Sequence, residues 1–459
     1  MRNRYVYITL LSLLGFNAET CAQAVLSPPR LVVSISVDQL QSDYLENYLP
    51  AYSDEGLKLM LNKGIVFPRA SFNFLPVDNA SATATLSTGA TPYYHGITGR
   101  EFLNHETLRP QNIVHDAQYK WSPALLSVST IGDELKIATN GEAKVFAFAP
   151  NAECAILSAG HAADGVTWIQ QGRWQTTEYY SPVNQWIGNF CKKYVPDDKD
   201  ENISVAKAAV FCAEQNSLGI DDNTDLLYVT LTARTDIDGY LSLDQSVAYI
   251  INGILGRIPI ERVLFVLTGT GTSEEEERQS NYERFRIPTG KFYINRTAGL
   301  LNLYLGAVYG SGQFVTTCFQ NQLYLNRELI GKKNINMGDL MRRSQEFILQ
   351  LSGVRNVYTA LQLATSDSPA LLRIRNGFHA EHCGDLTIEV APGWQLINED
   401  NHTSTVSHSG NTSFPIIFYG TNIKPQRVET HVTTDRVAPT ISRAIRIRAP
   451  NACSAEPLF

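Results

Sequence analysis

The sequence is short of positive charge. Its 38 Lys and Arg residues are outnumbered by 45 Asp and Glu, leaving a net charge of −7. That balance speaks against a nucleic-acid partner and against an anionic membrane surface, both of which need clustered basic side chains. Paired cysteine motifs are also missing. The 7 cysteines show no C-x-x-C spacing, which argues against a zinc ribbon. Long apolar runs are absent beyond the N-terminus, so no membrane span is expected. The N-terminal run itself, Tyr5 to Phe16, is too short for a comfortable span. It follows Arg2 and Arg4 and precedes the small residues between Ala18 and Ala24. This pattern reads as a signal peptide over residues 1–23, cleaved around Ala22–Gln23, and points to a periplasmic or secreted protein. Cys21 sits in a poor lipobox, so a lipid anchor is not expected. Cleavage leaves Cys154, Cys191, Cys212, Cys318, Cys383 and Cys453. Buried free thiols and one or two bridges both fit that set, with Cys191 and Cys212 nearest in sequence.

What is present is an α/β pattern. The chain has 459 residues, 44% of them hydrophobic, enough for one large α/β domain or two average ones. Leu31 to Asp38, LVVSISVD, reads as a buried strand with a carboxylate at its C-terminal end. Ligands of open α/β sheets bind at that end of the strands. A helix is expected over Tyr44 to Lys63, stopped by Gly64, and then a strand from Ile65 to Phe74. Between Asn73 and Gly99 small residues dominate, and Asp78 and Asn79 mark a tight turn into a helix N-terminus. A helix over Ile131 to Ala138 follows, with buried strands at Lys144 to Ala149, Thr224 to Thr232 and Glu261 to Leu267.

Several stretches carry a resemblance. VDQLQSDYLENY (Val37 to Tyr48) and PVDNASATATLSTGATPYYHGITGR (Pro76 to Arg100) resemble the alkaline phosphatase superfamily. They are most similar to bacterial phosphate-irrepressible alkaline phosphatases and nucleotide pyrophosphatase/phosphodiesterases. Pro150 to Tyr180, ARTDIDGY (Ala233 to Tyr240), Asn376 to Leu396, Ser407 to Pro425 and Thr433 to Leu458 extend the match. It thus runs from Leu31 to Leu458, nearly the whole mature chain. The resemblance implies an alkaline phosphatase-like sandwich over residues 24–459, with a central, mostly parallel sheet flanked by helices. It also implies inserted cap subdomains, at about 150–215 and 287–377.

The chemistry implied by the resemblance needs two zinc ions, an alkoxide nucleophile and a cationic clamp on the phosphoryl oxygens. In the matching frame the nucleophile position holds Asn79, an amide without nucleophilic character. The helper position holds Arg100, and the clamp positions hold Asn151 and Glu153. Of the six zinc-ligand positions outside the nucleophile, Asp38 and Asp236 remain. The other four hold Tyr240, Thr270, Gly271 and Ser413. The expectation is a catalytically inactive member of the superfamily, a secreted or periplasmic binding or scaffold component without zinc or another cofactor. Its partner would be a protein or a small anionic ligand, the latter in a pocket of Asp38, Asn79, Arg100 and Asp236. The alternative is a divergent metal-dependent phosphoric ester hydrolase, for phosphomonoesters or phosphodiesters, which would need zinc.

Other residues read more plainly. Ser81 and Thr83 match no metal-contacting position, so neither is expected to replace the nucleophile. His161 is expected to pack and hydrogen-bond. Asp236 to Gly239 resembles a calcium loop but lacks the downstream bidentate Glu. The turn at Thr268 to Gly271 runs into Glu274 to Glu277, which reads as a solvated acidic loop. His379 and His382 fall on non-ligand positions and are expected on a surface loop; His408 also matches a non-ligand position. The chain is shortened near Tyr240 and Ser413, which would expose a surface for a partner protein.

Overall fold

The computed structural model describes residues 27–180, 185–197, 200–271, 285–406 and 413–459. The expected signal peptide, the acidic run Glu274 to Glu277 and His408 lie outside the described residues.

The strand Leu31–Asp38 is apolar almost throughout because it is covered on both faces and paired on both edges. It runs parallel to Asp225–Thr232 on one side and to Val263–Gly269 on the other. Beyond Asp225–Thr232 the sheet continues in parallel through Val145–Ala149 to Gly165–Gln170, then closes with the antiparallel Arg173–Gln175. Beyond Val263–Gly269 lies the antiparallel Phe414–Gly420, followed by Ile65–Ser71 at the other side of the ten-stranded sheet. Residues 150–215 therefore supply two strands of this main sheet.

Alternation along the central strand sorts side chains to two cores. Val32 joins the core beneath the helices Asn79–Thr88, Ile131–Ala138, Ala152–Ala159 and Val437–Ala444. Leu31, Val33, Ile35 and Val37 join the opposite core, under Leu57–Lys63, Glu201–Gln215 and Ile237–Leu255. This is helices on both faces of a mostly parallel sheet. Between Val263–Gly269 and Phe414–Gly420 the chain also builds two smaller sheets, of 3 and 4 strands, with a separate apolar cluster.

The single helix expected over Tyr44 to Lys63 is broken. It is replaced by Ser42–Asn47, a 3-10 turn Leu49–Ala51 and Leu57–Lys63. Pro50 has no N–H to continue the first helix. The buried Asp244 carboxylate then holds the intervening turn, accepting from Ser53 N at 2.8 Å, Ser53 Oγ at 2.7 Å and Leu57 N at 2.7 Å. A Cβ on Gly56 would lie 2.3 Å from Asp244 Oδ1, so the turn requires glycine there. The cysteines at 154, 191, 212, 318, 383 and 453 are all unbridged, which settles the alternatives left open for them. Among the described residues no helix is long and apolar enough to cross a membrane.

Asp244→Ala strips three donors of their acceptor. It is expected to lower the unfolding free energy by about 3 kcal/mol, read from urea denaturation, because buried donors left unpaired cost far more than the bond itself gains.

Candidate active site

Three parallel strands end abreast. Asp38 lies opposite Thr232, and Val37 lies opposite Gly269. Backbone bonds carry the register past the strand ends, from Ala233 N to Asp38 O at 2.8 Å and from Thr270 N to Val37 O at 3.1 Å. The helix Asn79–Thr88 enters above this edge. Asp78 caps it, accepting from Ala80 N at 2.7 Å, while Ser81 Oγ accepts from Asp78 N at 3.0 Å. That reciprocal cap fixes the first turn and aims Asn79 at the sheet.

Asp38 is thereby met from two directions. Asn79 Nδ2 donates to Asp38 Oδ2 at 2.5 Å, and Thr270 Oγ1 donates to Asp38 Oδ1 at 2.9 Å. An ionised carboxylate only accepts, so the two donors are complementary to it. Asn79 and Thr270, which the resemblance sets at the nucleophile position and at a zinc-ligand position, thus both donate to Asp38. Asn79 Oδ1 is buried and has no hydrogen-bond partner among the described residues.

The other expected site residues are drawn elsewhere. Asp236 caps the helix Ile237–Leu255, accepting from Gly239 N at 2.8 Å, and lies 3.5 Å from Arg234 Nε. Tyr240 is fully buried with its ring near Tyr44 and Tyr48, and its hydroxyl accepts from Gln41 N at 3.0 Å. Gly271 has φ +69°, and a Cβ there would fall 2.9 Å from the rings of both Phe72 and Phe414. Ser413 is exposed and its carbonyl accepts from Ser42 N at 3.0 Å. Asn151 caps the helix Ala152–Ala159 through Cys154 N at 2.9 Å. Arg100 Nε is 3.1 Å from Glu153 Oε1, which also accepts from Asn112 Nδ2 at 2.6 Å. Asn112 has no motif around it, and the sequence carries no signal for its role. Ser81 and Thr83 are both buried; Ser81 serves the cap, and Thr83 Oγ1 faces Cys154 Sγ at 3.6 Å. Burial, reinforced by the field of Asp38, pushes the Cys154 thiol up to about 12, which leaves no thiolate at neutral pH.

These residues do not fit the two zinc ions that the resemblance implies. Zinc takes about four ligands per ion from His, Cys, Asp or Glu. Here the carboxylate of Asp38 is bonded to neutral donors, and Asp236 holds a helix terminus. The space where a side chain at position 271 would stand is filled by two phenylalanine rings. Where the resemblance implies a cationic phosphate clamp, the guanidinium of Arg100 rests on the carboxylate of Glu153.

Four of the histidines fall into three environments. His161 Nδ1 lies 2.9 Å from Asp133 Oδ2, and its Nε2 lies 3.0 Å from Leu126 O. Both partners are acceptors, so the imidazolium satisfies both contacts. Asp133 lifts the His161 pKa above its usual value. Burial opposes ionisation of Asp133, but donors from His161, Thr130 and Ala162 outweigh it and hold the carboxyl below its usual range. A cleft of about 490 Å³ opens beside this pair, lined by Asp133, Lys136, His161 and Asn451 among others, and none of Asp38, Asn79, Thr270 or Asp236 lines it. His95 is fully buried and kept neutral, burial lowering its pKa to about 3. His379 and His382 are not on a surface loop as expected. His382 is buried against Phe102, and His379 is half-buried, because the 379–383 turn packs under the segment that follows the helix Asn79–Thr88.

Asp38→Asn keeps one acceptor and turns an amide against Asn79 or Thr270. It is expected to lower stability by about 1–2 kcal/mol in urea denaturation; a rise would mark an unneutralised, metal-ligand carboxylate. A second expectation concerns pH. The raised pKa of His161 makes its stabilisation complete below about pH 6.5 and lost as pH climbs through the folded value. The lowered pKa of Asp133 makes its share complete above about pH 4 and lost as pH falls through the folded value. The stability gap between wild type and His161→Asn should therefore be flat from about pH 4 to 6.5 and shrink at higher pH. Denaturation at a series of pH values checks this.

A family model described as type I phosphodiesterase / nucleotide pyrophosphatase matches residues 32–415. The chain is similar to a protein of Myroides odoratus named calcium-transporting ATPase, with 26% identity and 95% of each chain covered. It is similar to alkaline phosphatase PafA of Elizabethkingia meningoseptica, with 23% identity and 94% of each chain covered. The crystal structure of wild-type PafA superposes with a TM-score of 0.82 at 22% identity, covering 94% of this chain and 98% of that one. That likeness is one of fold. The chain belongs to the type I phosphodiesterase / nucleotide pyrophosphatase family, within the alkaline phosphatase superfamily.

Proposed function

We propose that this chain is a catalytically inactive member of its family, acting outside the cytoplasm as a binding or scaffold component. One observation carries the reading: both oxygens of the Asp38 carboxylate accept from the residues that replace the nucleophile and a zinc ligand. A phosphoryl-transfer site keeps its carboxylates for metal and its hydroxyl for attack. Here the same positions are spent on one another. Family membership supplies the fold, and fold alone does not carry an activity.

The nature of the partner follows from Arg100. A free guanidinium would favour a small anion, but the Nε of Arg100 is paired with Glu153, which Asn112 also holds. Swapping Glu153 for a bound phosphate would leave a buried carboxylate uncompensated, which is costly. A protein partner is therefore favoured over a small anionic ligand. The N-terminal signal-peptide pattern supports a periplasmic or secreted setting.

The test is hydrolysis of an aryl phosphate monoester and diester by the purified mature chain with added zinc. No turnover is expected from wild type, and none from Asn79→Thr, because restoring a hydroxyl alone restores no metal ligand. Zinc-dependent turnover that disappears in Asp38→Asn would establish the divergent hydrolase instead.

A further inference from the structure

We propose that His379, Glu381 and His382 form a binding site for one divalent transition-metal ion of the zinc class, separate from the strand-end crevice at Asp38. One ligand atom from each of the three residues lies within 4.8 Å of the other two. Small side-chain rotations bring such a set to the spacing of ligands around a single ion. Two imidazoles and a carboxylate, with a fourth place left to water, are a donor set that zinc accepts.

The turn that carries them is already built. His382 N and Cys383 N both donate to His379 O, at 3.2 and 2.9 Å. His379 N in turn donates to Cys383 Sγ at 3.4 Å. His382 Nδ1 donates to the carbonyl of Gly96 at 2.6 Å. That bond fixes the tautomer and leaves Nε2 with its lone pair available. Metal-ligating histidines are held in this way, through the ring nitrogen that does not coordinate. Phe102 packs on the His382 ring with centroids 4.4 Å apart, which restricts it further. His379 supplies the second, independent sign. Its Nδ1 is buried and has no hydrogen-bond partner among the described residues, and buried polar atoms are ordinarily satisfied. Glu381 is exposed, so an ion would enter from solvent on its side and meet the negative charge there.

The site joins two distant parts of the chain, because Gly96 follows the helix Asn79–Thr88 while the turn follows Leu372–Asn376. An ion held by that turn would stabilise the native state, in which the His382–Gly96 bond is made.

The experiment uses tag-free mature protein, stripped with chelator and titrated with Zn²⁺ by calorimetry, with Co²⁺ absorption as a second probe. One equivalent is expected to bind with a dissociation constant below about 1 µM, raising the melting temperature. His379→Ala and Glu381→Gln should each weaken binding by at least about tenfold while keeping the far-UV spectrum of wild type. These positions are chosen over His382, whose loss also removes the Gly96 bond. Asp38→Asn should leave the affinity unchanged. Absence of uptake, or uptake that survives both variants, would overturn the proposal. Uptake lost in Asp38→Asn would overturn it too, and would count separately against the inactive-site reading.

Discussion

A carboxylate placed at the end of a buried strand must be compensated. Asp38 occupies that place because Leu31–Asp38 is the sheet's central strand, paired on both edges. Asp38 is half-buried there, and a carboxylate partly withdrawn from water needs donors in place of the water it gives up. In a metalloenzyme the compensation comes from cations. In this chain Asn79 Nδ2 and Thr270 Oγ1 both donate to the carboxylate. Much of the surrounding arrangement follows from that exchange. The helix cap at Asp78 and Ser81 places Asn79, and the register of Val263–Gly269 beside the central strand places Thr270.

The substitutions are mutually consistent rather than scattered. Where the resemblance implies a phosphate clamp, Glu153 is paired with the Nε of Arg100 and held by Asn112. Where it implies a histidine ligand, Gly271 adopts a left-handed conformation with phenylalanine rings closed over it. Where it implies another, Tyr240 is folded into an aromatic cluster with Tyr44 and Tyr48. Each replacement has its own packing or hydrogen-bonding partner.

Much of the scaffold was legible in the residues. The apolar run ending at Asp38, the amphipathic helix Ile131–Ala138 and the small-residue helix entered at Asn79 all appear where they were expected. What was not legible depends on contacts between distant positions. The break at Pro50 is completed by Asp244, which bonds Ser53 from 191 residues away. The bond from Thr270 to Asp38 spans 232 residues, and no local pattern announces it. The resemblance placed Thr270 as a vacancy; the fold shows it as a donor. His382 was expected on a surface loop because it falls on a non-ligand position of the resemblance, yet Gly96 and Phe102 cover it from another part of the chain.

The proposal of an inactive site rests on the hydrogen bonds that Asn79 and Thr270 make to Asp38. Anomalous diffraction at the zinc edge, from crystals grown with excess zinc, tests it most directly. The account predicts no anomalous peak at coordination distance, about 2.0–2.2 Å, from either oxygen of Asp38, with Asn79 and Thr270 still on the carboxylate. A zinc peak on Asp38, with Asn79 turned away to admit it, would contradict the account.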